Sequence, residues 1–375
     1  MIKDNLLRQI YLETLRRCAP ALLVRRALRD DMPRDVVAIG KSAGALLDGI
    51  AGHVRDAFVA IPEGYRLPET NADVAIGGHP HYTDASFEAG ERLLRFVDAH
   101  DDLLFLISGG GSACVEVPLD GWTREELVRE NARLIAGGQP IGAINAARRK
   151  MSAIKGGRLA RRVRGRCVTL VYSDVSTGAL GDVASGPTIP GSDEVQLIAD
   201  NRTLVATAAS LTRRFAPPSP ASGRGNLDAP LPRERERVPE GRVRVIDEQI
   251  ESDVEQAATF LIDQMRHADF VVAGGEPTIA VRGEGRGGRC IELAVRVALQ
   301  ADLRGELLFG SSDGADGNSG VAGVAIRLPS AVDRAFAERE LARSNSLAVA
   351  TAIGEPIIIP AAGNNLRDLY LLARS

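Results

Sequence analysis

Apolar positions along the chain come in two rhythms. Short continuous runs, such as DVVAIG (35–40), DLLFLIS (102–108) and CVTLVYSDV (167–175), read as strands buried on both faces. Between them, SAGALLDGIAGHV and WTREELVRENARLIAGG (122–138) carry apolar residues at helical spacing, and Thr123 and Glu126 are spaced as a capping box. This alternation predicts an α/β fold with a parallel sheet covered by helices. The second half repeats the theme. VQLIADNRTLVATAASLTRRF and RVRVIDEQIESDVEQAATFLIDQM each read as a strand followed by a helix. DFVVAGGE, TIAVRGEG, ELLFGSSDG and PIIIPAAG read as strand-to-glycine junctions. No short-period repeat is present.

A length of 375 residues exceeds what one hydrophobic core usually holds, so two α/β domains are expected, over 1–214 and 244–375. Between them, 215–243 is set apart by composition. Its stretch 217–240 holds six prolines and no helical or strand periodicity, which predicts a disordered insertion. Glutamates interleave its arginines and no aromatic is there to stack on bases, so it does not read as a nucleic-acid tail. The net charge of −3 calls for neither nucleic acid nor an acidic membrane as partner. The amino-terminal stretch reads as a docked surface helix rather than a leader, hence a cytoplasmic protein. Assembly is left open between monomer and homodimer. Cys18, Cys114, Cys167 and Cys290 are too far apart in sequence for a zinc knuckle or CxxC pair and read as buried thiols.

Candidate chemistry gathers at the strand ends. LLFLISGGGSA ends a buried strand on three glycines, and such a bend turns backbone N–H groups toward an anion. Ser108, Gly109, Gly110, Gly111 and Ser112 form this candidate cradle; a tight turn without a ligand is the alternative. GKSAG (40–44) places Lys41 after another strand, but Asp35 stands where a Walker A loop requires glycine. Lys155 and Arg158 flank paired glycines, Asp174 and Glu276 follow strands, and Asp313 and Asp316 lie in SSDGADG. Cations for a migrating charge and acids for a proton or metal are what phosphoryl transfer needs.

The ordered motifs AIGKSAGAL, GGHP, LISGGGSA, INAARRKMSAIKGGRLA, YSDV…ASGPT, GGEPTIAVRGEGRGGR, SSDGADG and GNNLRDL resemble those of the class II glycerate kinases. The resemblance covers nearly the whole chain. It implies a Rossmann-like N-terminal domain, a C-terminal MOFRL domain and an active site in the cleft between them. The implied reaction passes the γ-phosphoryl of ATP to the 2-hydroxyl of D-glycerate with Mg²⁺. Matched by motif, Lys41 and Arg289 are catalytic, and Asp174 and Asp313 are acids for proton transfer or metal binding. Ser108 to Ser112, Lys155, Glu276 and Asn365 are the candidate substrate or nucleotide contacts. Cys290 and Ile291 stand where family members commonly carry two polar side chains. A related small hydroxy acid is the alternative substrate.

Two rival functions are legible. Gly283, Gly285 and Gly288 satisfy GxGxxG, with Glu306 further on, as in a dinucleotide enzyme such as a hydroxypyruvate reductase. No histidine is obviously placed as its acid, since His79 and His81 flank a proline and the other three fall in predicted helices. A sensor of a sugar acid or nucleotide is the non-enzymatic reading.

Overall fold

The computed structural model describes residues 5–137, 141–176, 178–215, 243–360 and 363–375. The expected insertion at 215–243 therefore lies almost wholly outside the described residues. Contacts divide the chain into two units. One comprises Arg17–Asn201 with Pro360–Leu366, the other Met1–Arg16, Arg202–Ile359 and Arg367–Ser375. This division differs from the expected 1–214 and 244–375 at both ends of the chain. The helix Leu6–Arg17 buries Leu7, Ile10 and Tyr11, and the Tyr11 hydroxyl donates to the Ser311 carbonyl at 2.7 Å. Sequence order alone could not assign that helix to the C-terminal unit.

The first unit contains β1 (Asp35–Ile39), β2 (Asp56–Pro62), β3 (Asp73–Gly77), β4 (Leu103–Ser108), β5 (Cys167–Tyr172) and β6 (Glu194–Ala199). Their order is β3-β2-β1-β4-β5-β6 and every pair is parallel. This is the doubly wound order of Rossmann-type sheets. Every residue of β1, β4 and β5 is buried, which accounts for their unbroken apolar runs. The chain winds outward in both directions from β1 and β4. A crevice beyond the carboxyl ends of those two strands is the usual ligand position in such sheets.

The second unit contains β7 (Val243–Val245), β8 (Phe270–Gly275), β9 (Gly305–Ser311), β10 (Gly323–Leu328), β11 (Gly354–Ile357) and β12 (Asp368–Arg374). Their order is β11-β10-β9-β12-β8-β7, and only β7 and β8 pair in parallel. The expectation of a largely parallel sheet is corrected here. β12 is inserted between β8 and β9 and runs against both. A doubly buried apolar strand reads the same in either direction, so the run itself carries no orientation. TIAVRGEG forms no strand: Thr278 makes one isolated bridge and Val281 is 73% exposed.

The predicted capping box is present. Thr123 accepts from the Glu126 N–H at 3.2 Å, and Glu126 accepts from the Thr123 N–H at 2.8 Å, opening the helix Arg124–Ala136. Beneath the first sheet's loops lies a buried charge network. Lys155 Nζ sits 2.7 Å from Glu116 Oε2, with both side chains almost wholly buried. Glu116 also accepts from the hydroxyls of Tyr82 and Ser152. Burial lowers the Lys155 pKa, with Glu116 opposing that shift.

Removing one member of this pair strands a buried charge. Lys155→Ala should lower unfolding stability by about 3–5 kcal/mol, read from urea denaturation. A loss within about 0.5 kcal/mol, ordinary for surface substitutions, would show the pair to be energetically idle.

Candidate active site at the β1–β4 switch point

The three glycines after β4 are explained one by one by their neighbours. A Cβ on Gly109 would lie 1.7 Å from Asp174 Oδ2, so the missing side chain admits the carboxylate. On Gly110 it would lie 2.6 Å from Lys41 Cγ, so that glycine admits the lysine stem. Gly110 also has φ +80°, a backbone region that favours glycine. On Gly111 the same atom would lie 2.7 Å from Ile39 Cγ2 and 2.8 Å from Ala184 Cβ. The turn is thus a close meeting of β1, β4 and the segment after β5.

Hydrogen bonds fix that meeting. The Lys41 N–H donates to the Gly109 carbonyl at 2.9 Å. Ser108 Oγ accepts from the Ser42 N–H at 3.1 Å and donates to the Ile39 carbonyl at 3.2 Å. Asn365 Nδ2 donates to Asp174 Oδ2 at 3.0 Å, reaching in from Pro360–Leu366. Lys41 Nζ stands 5.3 Å from the centre of the Tyr65 ring. Lys41, Gly109, Gly110, Asp174 and Asn365 are therefore gathered at one place.

Three further expected contacts, Ser108, Lys155 and Ser112, are also engaged by protein groups. Ser108 is fully buried and ties β4 to β1. Lys155 is 1% exposed and its amine is held by Glu116 and the Val115 carbonyl, so it braces the loop rather than presenting a cation. Ser112 shares a 2.8 Å hydroxyl contact with Ser185, whose hydroxyl donates to Asn145 Oδ1 at 2.9 Å. Ser185 holds φ +61°, so the SGPT bend is strained for a residue with a side chain.

His79 was passed over in the sequence because nothing there pairs it with another residue. It follows β3 and is an exposed residue. The surrounding protein, then Lys41 and Arg148, push its imidazole down to about 4. The loop is anchored by Asn131, which donates to the Pro80 carbonyl at 3.3 Å and accepts two bonds from Arg148.

In the second unit, Arg289 opens the helix Arg289–Gln300. Its Nη1 lies 2.9 Å from Glu276 Oε1, and its Nε lies 2.7 Å from Asp368 Oδ2. Burial opposes its charge, but Asp368 and then Glu276 more than offset this and raise its pKa. Asp313 accepts from the Ser311 hydroxyl at 2.7 Å and from the Ala315 N–H at 3.1 Å. Asp316 is buried and accepts from the Cys290 and Ile291 N–H groups. Burial and the nearby Asp368 push Asp316 up to about 7. Cys290 and Ile291 are wholly buried in the core of this unit. Their departure from the family pattern is thus a change of core, not of a ligand loop.

The GxGxxG glycines are occupied by protein. A Cβ on Gly283 or Gly285 would meet the Arg343 carbonyl oxygen at 2.7 or 2.6 Å, and one on Gly288 would meet Asp316 Cγ at 2.3 Å. They pack chain against chain and leave no dinucleotide cradle, and the largely antiparallel sheet is not of the dinucleotide-binding kind.

The sheet order β3-β2-β1-β4-β5-β6, with every pair parallel, defines a doubly wound α/β protein. Residues 6–213 match the family described as Domain of unknown function (DUF4147), and residues 269–368 match the MOFRL family. The chain belongs to this DUF4147–MOFRL family, the class II glycerate kinases. It is 27% identical to a Thermotoga maritima protein named D-glycerate 2-kinase, over 99% of both chains. It is 28% identical to an Agrobacterium vitis protein named provisionally as a hydroxypyruvate reductase, over 97% of this chain and 93% of that one. A crystal structure of glycerate kinase from Thermotoga maritima superposes with a TM-score of 0.79 at 24% identity, covering 98% of each chain, and shares the fold.

Titration of His79 tests the gathering around Lys41. Its C2–H resonance should titrate with a midpoint of about 4, and Lys41→Met should raise that midpoint. Folding lowers this pKa, so the group withdraws stability as the pH falls from about 6.5 to about 4. A wild-type midpoint of 6.5, unmoved by Lys41→Met, would separate the two side chains.

Proposed function

We propose that this chain transfers the γ-phosphoryl group of ATP to the 2-hydroxyl of D-glycerate, releasing ADP and 2-phospho-D-glycerate in the cytoplasm. The observation that carries the reading is the assembly of Lys41, the Gly109–Gly110 bend and Asp174 at the β1–β4 switch point. The full-length likeness to a D-glycerate 2-kinase supports it.

Each side chain then has a part set by its chemistry. The Gly109–Ser112 amides and the Lys41 ammonium offset negative charge on phosphate or carboxylate oxygens. Asp174 accepts the proton of the attacking hydroxyl, and Asn365 holds that carboxylate through Oδ2. The oxygen of the hydroxyl bonds to the γ-phosphorus as the bond to the ADP oxygen breaks, and ADP carries the charge away. Arg289 supplies a permanently charged fork for phosphate oxygens.

Among the described residues no group of three His, Cys, Asp or Glu side chains gathers to hold a metal. Mg²⁺ does not require one, because it is commonly held by one or two carboxylates with phosphates and water. Asp313 fits that limited donor set: Oδ1 takes the Ser311 and Ala315 bonds, and Oδ2 is its second oxygen. Asp174 is the alternative carboxylate, and as a metal ligand it would not also take the hydroxyl proton. Bound there, the ion would neutralise phosphate charge.

A coupled ADP-release assay across small hydroxy acids, with ³¹P NMR of the product, tests the reading. D-glycerate should give a phosphomonoester at O2, and Lys41→Ala should lower turnover at least about 100-fold, the scale of losing a charge-stabilising group. NADH oxidation with hydroxypyruvate in place of ADP release would overturn it.

A further inference from the structure

Arg289 meets its two carboxylates differently. Glu276 touches one nitrogen and is shared: its Oε2 lies 3.1 Å from Arg367 Nε. Asp368 takes the guanidinium by its edge. Nε donates to Oδ2 at 2.7 Å and Nη2 donates to Oδ1 at 3.2 Å. Nε and Nη2 thus donate to Asp368 and Nη1 stands against Glu276, while each terminal nitrogen carries a second N–H beyond the one facing its carboxylate.

Asp368 is unusually well fixed. It is fully buried and is the first residue of β12, where its backbone pairs with Gly275 of β8 and Ser311 of β9. The Tyr370 hydroxyl donates to its Oδ2 at 3.1 Å. Both neighbouring strands therefore hold its backbone, and a buried phenol holds its carboxylate. A two-point contact sets the plane of a guanidinium, whereas a single ion pair sets only its distance. Neutralising a half-buried arginine does not by itself require that arrangement.

We propose that Asp368 is the positioning residue of Arg289, fixing the guanidinium plane so that its two remaining N–H groups are presented to phosphate oxygens. The proposal deepens the kinase reading and rests on it for the role of Arg289. Asp368 touches no substrate; it acts through the arginine.

The experiment uses the full-length chain and the variants Asp368→Asn, Arg289→Ala, Arg289→Lys and Asp368→Asn with Arg289→Ala. Two readouts are taken: steady-state ADP release with ATP and D-glycerate, and the arginine Nε–H signal that disappears in Arg289→Lys. Asp368→Asn should retain the fold by circular dichroism and lower kcat about 100-fold, the scale of a misplaced group. Its KM values should move less than about threefold, and the Arg289 Nε–H should lose its protection from solvent exchange. Placed on Arg289→Ala, the same change should lower kcat no further, because the side chain it aims is gone. Arg289→Lys should be as impaired as Arg289→Ala, which also serves if Asp368→Asn fails to fold. Additive losses in the double variant, near-wild-type kcat in Arg289→Lys, or an Nε–H signal indifferent to Asp368 would each overturn the assignment. An inactive wild type with an Asp368-dependent, protected Nε–H would instead sink the kinase reading and leave the clamp standing.

Discussion

The site in the first unit depends on how closely the backbone can approach at the ends of β1 and β4. A methyl group at 109 would stand 1.7 Å from a carboxylate oxygen, far inside any non-bonded contact, and one at 110 would collide with the stem of Lys41. Glycine therefore determines which side chains can occupy the same few ångströms. The Ser108 hydroxyl and the Gly109 carbonyl then lock the two strand ends together. Opposite charges are brought together there without burying either one completely: Lys41 and Asp174 are both half-buried.

Support for that bend comes from below. Lys155 and Glu116 form an ion pair in a place where neither charge could stand alone. Glu116 reaches three further groups: the Tyr82 hydroxyl, the Ser152 hydroxyl and the Val117 N–H. One carboxylate thus ties the segment after β4 to the segment before β5 and to the loop that carries His79. In the other unit, Asp316 has a comparable part. It takes two N–H groups at the start of the helix that bears Arg289, and Gly288 lacks a side chain where Asp316 approaches.

Much of this was legible in the sequence. Unbroken apolar runs marked β1, β4 and β5, and Thr123 with Glu126 marked a helix start correctly. The glycine triplet and Lys41 announced themselves as strand-end features. What stayed hidden was whatever depends on distant pairing. β12 was not anticipated at all, and its direction would have stayed illegible, because a strand buried on both faces has the same pattern either way. Lys155 looked like a ligand cation because its partner, Glu116, lies 39 residues away and nothing local connects them. His79 had no visible link to Lys41, and Asp368 sat unnoticed in GNNLRDL because its arginine is 79 residues distant. The GxGxxG spacing misled for the opposite reason: glycines that admit a ligand and glycines that admit another stretch of protein look alike on paper.

The course of Pro360–Leu366 has a consequence for how such a protein can be divided or recombined. This segment leaves the second unit, lends Asn365 to Asp174 and the Leu366 carbonyl to Asn201, and then returns as β12. The first unit is consequently not encoded by one continuous stretch of gene. A premature stop anywhere before codon 365 would remove a hydrogen-bond donor from the opposite half of the polypeptide. The two halves cannot be exchanged between relatives as separate cassettes without carrying this return thread along.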